Sequence, residues 1–239
     1  MKNRLLKLVQ DNLKAEKKFE IRAEGETPEI FLYDAIGDWY GISAESIVRA
    51  LRDFDGQDVL LRINSPGGDV FEGRAMATAI QQHRGRVTAQ IDGLAASAAT
   101  YVATAAAEVR ISQGAFFMIH NAWTLAIGNA DELEVTAGLL RKVDGSIVND
   151  YMLKTDKDEA QIREWMKAET WFTADEAVEH GFADSLLEGQ GAALANRWNL
   201  GAYNNTPAAL LASKRQTEQP QYDRAMAERR LALLESLAA

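Results

Sequence analysis

Hydrophobic positions along this chain switch between two spacings. Short apolar runs, of the kind that strands buried on both faces require, stand at Glu29–Tyr33, Val59–Ile63, Val87–Ile91, Val109–Ile111, Ala115–Ile119 and Phe182–Leu187. Between them the spacing widens to that of helices. Ser43–Phe54 turns Ile47, Val48, Leu51 and Phe54 to one side, and Val70–His83 follows the turn Ser65-Pro66-Gly67-Gly68. A further helix is predicted after Ser97. Asn129 with Glu132 forms a capping-box start for a long helix to about Leu153, with Leu140, Val143, Ile147 and Tyr151 as a stripe on one face. Helices over Glu159–Lys167 and from Thr173 to Gly181 complete the series. Strands alternating with helices imply right-handed crossovers and a largely parallel sheet, an α/β fold.

Both ends depart from this pattern. Met1–Lys18 reads as a Lys-rich helix with Leu5, Leu6, Val9 and Leu13 on one face, and Gly25–Pro28 breaks the chain. Beyond Gly189 the composition turns to Gly, Ala, Asn and Thr, with a final helix predicted over Arg224–Leu237. The expected division is an N-terminal helical segment (residues 1–25), one catalytic-sized domain (26–188) and a linker with a helical tail (189–239) lying outside the compact body.

Composition narrows the chemistry. A net charge of −9 supplies no basic field for phosphate, so nucleic acid is not the expected partner. The absence of cysteine excludes disulfides, thiolate nucleophiles and Cys-zinc sites. Three histidines without a His-Glu-x-x-His pattern give no expectation of a metal, and no cofactor is implied. The longest low-charge stretch, Gly93–Ala107, is Ala, Ser and Thr, and too short for a bilayer; Met1–Lys18 lacks the apolar core of a secretory signal. The expected compartment is the cytoplasm.

Three features fall just after strands, where functional groups gather in parallel sheets. They are Gly67-Gly68, Ser97 and His120. Ser97 sits among small residues in Gly93-Leu94-Ala95-Ala96-Ser97-Ala98-Ala99-Thr100, at a strand-to-helix turn whose first N–H groups are unpaired. Taken alone, a serine in an Ala-rich helix is more often a packing residue than a nucleophile. His120 follows a strongly apolar strand and would be held at its end; a satisfied core histidine is the other reading. His83 and His180 lie near helix ends and read as surface residues. Glycines at 67 and 68 let the backbone approach a substrate carbonyl, and the N–H groups of Gly68 and Ala98 would open two helices around one developing negative charge. No Gly-Lys-Ser/Thr follows, so a phosphate loop of that type is absent.

Four motifs in order, Ile63-Asn64-Ser65-Pro66-Gly67-Gly68, Gly93-Leu94-Ala95-Ala96-Ser97, Met118-Ile119-His120 and Thr173-Ala174-x-Glu176-Ala177-Val178-x-x-Gly181-x-x-Asp184-Ser185, resemble the ClpP family of serine peptidases over about Glu29–Leu187. The resemblance implies a ClpP/crotonase-type spiral of βαβ units with a long protruding helix. It also implies a Ser–His–acid triad with Ser97 and His120 in the matching places, Gly68 and Ala98 as oxyanion donors, and assembly into ring-type homo-oligomers. Where the family has its aspartate, this chain reads Lys167-Ala168-Glu169-Thr170, so Glu169 takes that position; an ordinary surface Glu is the alternative.

The run Glu169-Thr170-Trp171-Phe172-Thr173-Ala174 and the long tail further resemble ClpP-like head maturation proteases of tailed bacteriophages. That resemblance implies an endopeptidase working without an ATPase, cutting capsid and scaffold chains inside a procapsid in the host cytoplasm. Three alternatives stand beside it: a cellular ClpP-type subunit serving an ATP-dependent unfoldase, a crotonase-type acyl-CoA enzyme, and an inactive ring scaffold.

Overall fold

A computed structural model describes residues 19–187, 200–208 and 210. The helices expected over Met1–Lys18 and Arg224–Leu237 lie outside the described residues. The elements in chain order are β1 (Phe19–Arg22), β2 (Glu29–Leu32), α1 (Ala44–Asp53), β3 (Val59–Ser65), α2 (Val70–Gln82), β4 (Val87–Ala96), α3 (Ala98–Thr104), β5 (Glu108–Ser112), β6 (Phe116–Ile119), α4 (Ala130–Lys154), α5 (Glu159–Ala168), β7 (Thr170–Thr173), α6 (Ala174–Glu179) and β8 (Ser185–Leu187).

The strands form one eight-stranded sheet whose main path runs β1-β2-β3-β4-β5-β8. Every step from β2 onward along that path is parallel, as the strand–helix alternation predicts, and β1 closes the edge antiparallel to β2. β4 is the organising strand because it changes partner halfway. Thr88–Ile91 pair with Glu108–Ile111 of β5, whereas Leu94–Ala96 pair with Phe116–Met118 of β6. Gly93 lies between the two halves. On the other side of β4 the register to β3 slips between Ile63 and Ser65.

Three strands depart from the sequence expectation, the first being β1, which lies ahead of the first predicted run and pairs with β2. The Val87–Ile91 strand continues through Gly93 to Ala96, so the small-residue run is strand rather than turn. The stretch before α6 is β7, which pairs antiparallel with β6.

The core lies between the sheet and the helices. α3 is sunk into it, with Ala98 through Ala103 all buried. Small residues allow that depth: Gly73 of α2 faces Tyr101, whose ring a Cβ there would meet at 2.8 Å. The predicted stripe on α4 faces inward, with Val143 packed against the core and Leu140 half-buried, and the exposed apolar residues lie outside it. Ile147 and Tyr151 are core, and the Tyr151 hydroxyl meets Thr100 Oγ1 at 2.5 Å, whereas the N-terminal half of the helix protrudes with Leu133, Val135 and Leu139 exposed. The expectation of a tail outside the body fails for Leu200–Thr206. Leu200 and Tyr203 are buried against Leu94, Ala96 and Met118, because the face of β4 and β6 that they cover is apolar.

Candidate active site

β4 ends in a sharp elbow at Ser97, one of two non-glycine residues with positive φ among the described residues (φ 53°, ψ −124°). Such a conformation costs about 1–3 kcal/mol and persists only where surrounding contacts fix it. Here the Ser97 N–H donates to Met118 O at 2.9 Å, and the hydroxyl of Thr100 donates to Ser97 O. The elbow is therefore tied to β6, the strand that delivers His120 two residues later. Ser97 Oγ and His120 Nε2 lie 2.8 Å apart.

His120 is half-buried. Burial pushes its imidazole down to about 4, against the opposing pull of the Glu169 charge, so the ring is neutral at pH 7 and able to accept a proton. His83 and His180 are elsewhere. His83 Nε2 pairs with Gln57 O, and His180, expected at the surface, packs its ring against Trp165 at 4.8 Å between centroids. Aromatic neighbours on α5 and β7 draw it inward.

Glu169 caps α5 in the left-handed conformation (φ 51°) and is 9% exposed. Antiparallel pairing of β6 with β7 sets Ile119 opposite Thr170, so the next step of the ladder brings residue 169 to residue 120. The structure brings the carboxylate near the imidazole but without a hydrogen bond between them among the described residues. Glu169 instead accepts from the Asn205 N–H at 2.7 Å and from Asn204 Nδ2 at 3.4 Å.

The glycine loop closes over the elbow from the other side. Gly67 (φ 85°) is so close that a Cβ would lie 2.4 Å from Ala96 O and 2.7 Å from Ser97 Cβ. Gly68 (φ 153°) backs onto Ile36, whose O a Cβ would meet at 2.0 Å. Ile36 holds the loop by donating to Gly67 O and accepting from the Asp69 N–H, each at 2.9 Å. The N–H of Gly68 and that of Ala98 donate to no described group, leaving both for a ligand beside Ser97. One detail differs from expectation: Gly68 does not open α2. Asp69 is the N-cap, because its carboxylate can accept from the N–H groups of Phe71 and Glu72.

A groove of about 500 Å³ runs past Ser97 and His120, walled by Tyr40, Phe71, Trp123, Leu125, Leu139 and Leu140. The arrangement provides a hydroxyl, a neutral base within reach, two unpaired donors and an apolar channel. This is what acyl transfer from an extended peptide needs. Tyr203 and Asn205 complete the surroundings and were missed in the sequence. Their only signal is Leu200-x-x-Tyr203 ahead of the turn-forming Asn204-Asn205-Thr206-Pro207, a pattern too short to mark a buried segment.

Residues 25–190 match the family model described as Clp protease. The chain belongs to the Clp protease family. Among curated members, the ATP-dependent Clp protease proteolytic subunit 1 of Protochlamydia amoebophila is 31% identical over 170 residues, covering 68% of this chain and 81% of that protein. The corresponding subunit 1 of Chlamydia abortus is 33% identical over 136 residues, 55% of this chain and 71% of that protein. The ATP-dependent Clp protease proteolytic subunit of Bacteroides thetaiotaomicron is 31% identical over 164 residues, 66% of this chain and 73% of that protein. As a Clp protease family member the chain is a serine-type endopeptidase with a mixed α/β fold.

These relatives correct the expectation of a phage head maturation protease acting on capsid and scaffold chains. They are named as proteolytic subunits of ATP-dependent Clp proteases. The features behind that expectation were a Glu at the acid position and an appended tail. Neither carries information about which protein is cut or who delivers it. Among the described residues no helix is long and apolar enough to cross a membrane.

Proposed function

We propose that this protein is a peptidase subunit of the cellular Clp type, working in the cytoplasm within a ring-type homo-oligomer and supplied with unfolded chains by an ATP-dependent unfoldase. The observation that carries the peptidase reading is the 2.8 Å approach of Ser97 Oγ to a neutral His120 Nε2, beside the free N–H groups of Gly68 and Ala98. The unfoldase is supported by the names of the relatives.

In this reading Ser97 Oγ attacks the scissile carbonyl carbon as its proton passes to His120 Nε2. The oxyanion takes the N–H groups of Gly68 and Ala98. Loss of one such donor costs about 10²–10³ in rate. His120 then returns the proton to the departing amine as the C–N bond breaks, leaving an acyl ester on Ser97. Water, deprotonated by His120, cleaves that ester and restores the hydroxyl. Glu169 stabilises the transient imidazolium by its charge. The apolar walls of the groove favour extended segments carrying large apolar side chains.

The test compares the native chain with Ser97→Ala on a fluorogenic peptide and with a serine-directed fluorophosphonate. Labelling of the native protein alone, with cleavage lost in the variant, is the expected result; equal cleavage by both removes the reading. For the partner, short peptides should be cut without ATP, and a folded protein only when an unfoldase and ATP are added.

A further inference from the structure

The segment Leu200–Thr206 reaches the site from a distant part of the sequence and meets all three of its side chains. Tyr203 sets its ring edge-on to the His120 imidazole, with centroids 5.4 Å apart and the planes at 86°. Its hydroxyl donates to Pro66 O at 2.5 Å, just before the Gly67-Gly68 loop, and faces Ser97. Two residues on, the Asn205 N–H and Asn204 Nδ2 hold the Glu169 carboxylate, and Asn205 Nδ2 donates to Ala168 O at 2.6 Å. The segment is itself fixed. Thr206 Oγ1 donates to Leu200 O at 2.8 Å, and Tyr203 packs its ring on Trp171.

We propose that Tyr203 and Asn205 are positioning residues of the active centre: the phenol ring holds the imidazole toward Ser97, and the Asn205 N–H holds the Glu169 carboxylate beside it. The proposal rests on the Ser97–His120 peptidase reading.

The need for such support is visible in the ladder. β6 ends at Ile119 and β7 begins at Thr170, so His120 and Glu169 both lie one residue past the last paired positions. Neither side chain is aimed by the sheet. A carboxylate this buried requires donors, and the segment supplies two. With the segment gone, water would hydrate Glu169 and screen its pull on the imidazole. The charged or titratable groups facing His120 are Glu169 and the Tyr203 phenol, which burial keeps protonated.

A segment that blocked the site would make many of the same contacts, but two observations speak against a plug. Ser97 and His120 remain in hydrogen-bonding contact, and the groove of about 500 Å³ stays open with Tyr203 as one of its walls.

The experiment uses full-length protein and a fluorogenic peptide, with kcat, KM and pH profiles measured for Tyr203→Ala, Tyr203→Phe, Asn205→Pro, Glu169→Gln and the Asn205→Pro/Glu169→Gln double variant. Misplacing reacting groups by about 1 Å costs on the order of 10²-fold, so Tyr203→Ala and Asn205→Pro should lower kcat by about tenfold or more with KM within about threefold. Tyr203→Phe, which keeps the ring, should recover most of that loss. Asn205→Pro should cost little more once Glu169 is already Gln, because it acts through that carboxylate. In Tyr203→Ala the acid limb of kcat/KM should move upward, since burial is what holds the imidazole low. Should Tyr203→Ala fail to fold, Tyr203→Leu refills the apolar cluster and carries the same expectation for kcat and KM. Unchanged or increased kcat in these variants, or additive effects in the double variant, overturns the proposal. Retention of the native rate by Ser97→Ala would instead defeat the peptidase reading itself, so the two failures are distinguishable.

Discussion

His120 faces Glu169 across the β6–β7 pair, one step beyond the bonded partners Ile119 and Thr170. The two residues are brought together by strand register rather than by a hydrogen bond of their own. Register is a discrete property, since a slip of one residue turns every side chain to the opposite face. Register thus brings the two positions together, while the side chains themselves, one residue past the ladder, are set by what packs around them.

That relationship makes Glu169→Gln informative. The substitution keeps the shape and removes the charge that pulls the His120 imidazole upward. We expect kcat to fall by about 10²–10⁴ with little change in KM or thermal midpoint. Peptide hydrolysis together with a melting curve checks this; a kcat within about threefold of native would remove Glu169 from the mechanism.

The pH profile follows from the burial of His120. Its imidazole is lowered to about 4 from 6.5, and only the neutral form accepts the Ser97 proton. Falling pH therefore extinguishes kcat/KM through the lowered value, and the acid limb should be centred near pH 4. A limb centred at 6.5 would show that the ring is far better hydrated than its surroundings indicate.

Gly67→Ala should be damaging in two ways. The new methyl would lie 2.4 Å from Ala96 O and 2.7 Å from Ser97 Cβ, at a backbone φ of 85° that alanine disfavours. Strain of this kind costs about 1–3 kcal/mol, and any relief must push the elbow or the donor loop. The expected outcome is a lower urea midpoint together with loss of fluorophosphonate labelling at Ser97. Labelling at the native rate would contradict the close approach of the two loops.

Asp92→Ala should cost stability through lost hydrogen bonds. Its buried carboxylate accepts from Tyr33 at 2.5 Å, from Arg62 Nε and Nη2 at 2.9 Å each, and from Gln90 at 2.8 Å. Removing it leaves a partly buried guanidinium with only the more distant Glu29 at 3.8 Å, a loss of up to about 3 kcal/mol, discounted for the fraction of Arg62 still in water and for that remaining pair. Urea unfolding measures the change. A midpoint equal to that of the native chain would show that the network is dispensable.

Much of this geometry could be read from residue order. The parallel strands advertise themselves as Val, Leu and Ile runs, and Ser97, His120 and the paired glycines each follow one. What escaped reading had specific causes. The second half of β4 is not legible because Gly93-Leu94-Ala95-Ala96 has the composition of a turn, yet small side chains are what allow β6 and the Gly67 loop to press against it. β7 was hidden because Thr170–Thr173 is too short to show alternation and gains its strand character from β6. Glu169 was located only through the family resemblance, since nothing local announces a left-handed Glu at the end of a helix. Tyr203 and Asn205 are not legible because their partners lie between about 35 and 140 positions away, beyond the reach of any local pattern.

The bond from the Ser97 N–H to Met118 O makes the elbow an extension of the β4–β6 pairing. Ser97 and His120 therefore share a seam, and that seam is three register pairs long. On heating, fraying there should silence the enzyme at a lower temperature than the collapse of the β3–β4–β5 platform, so that activity and far-ultraviolet ellipticity decay on separate curves.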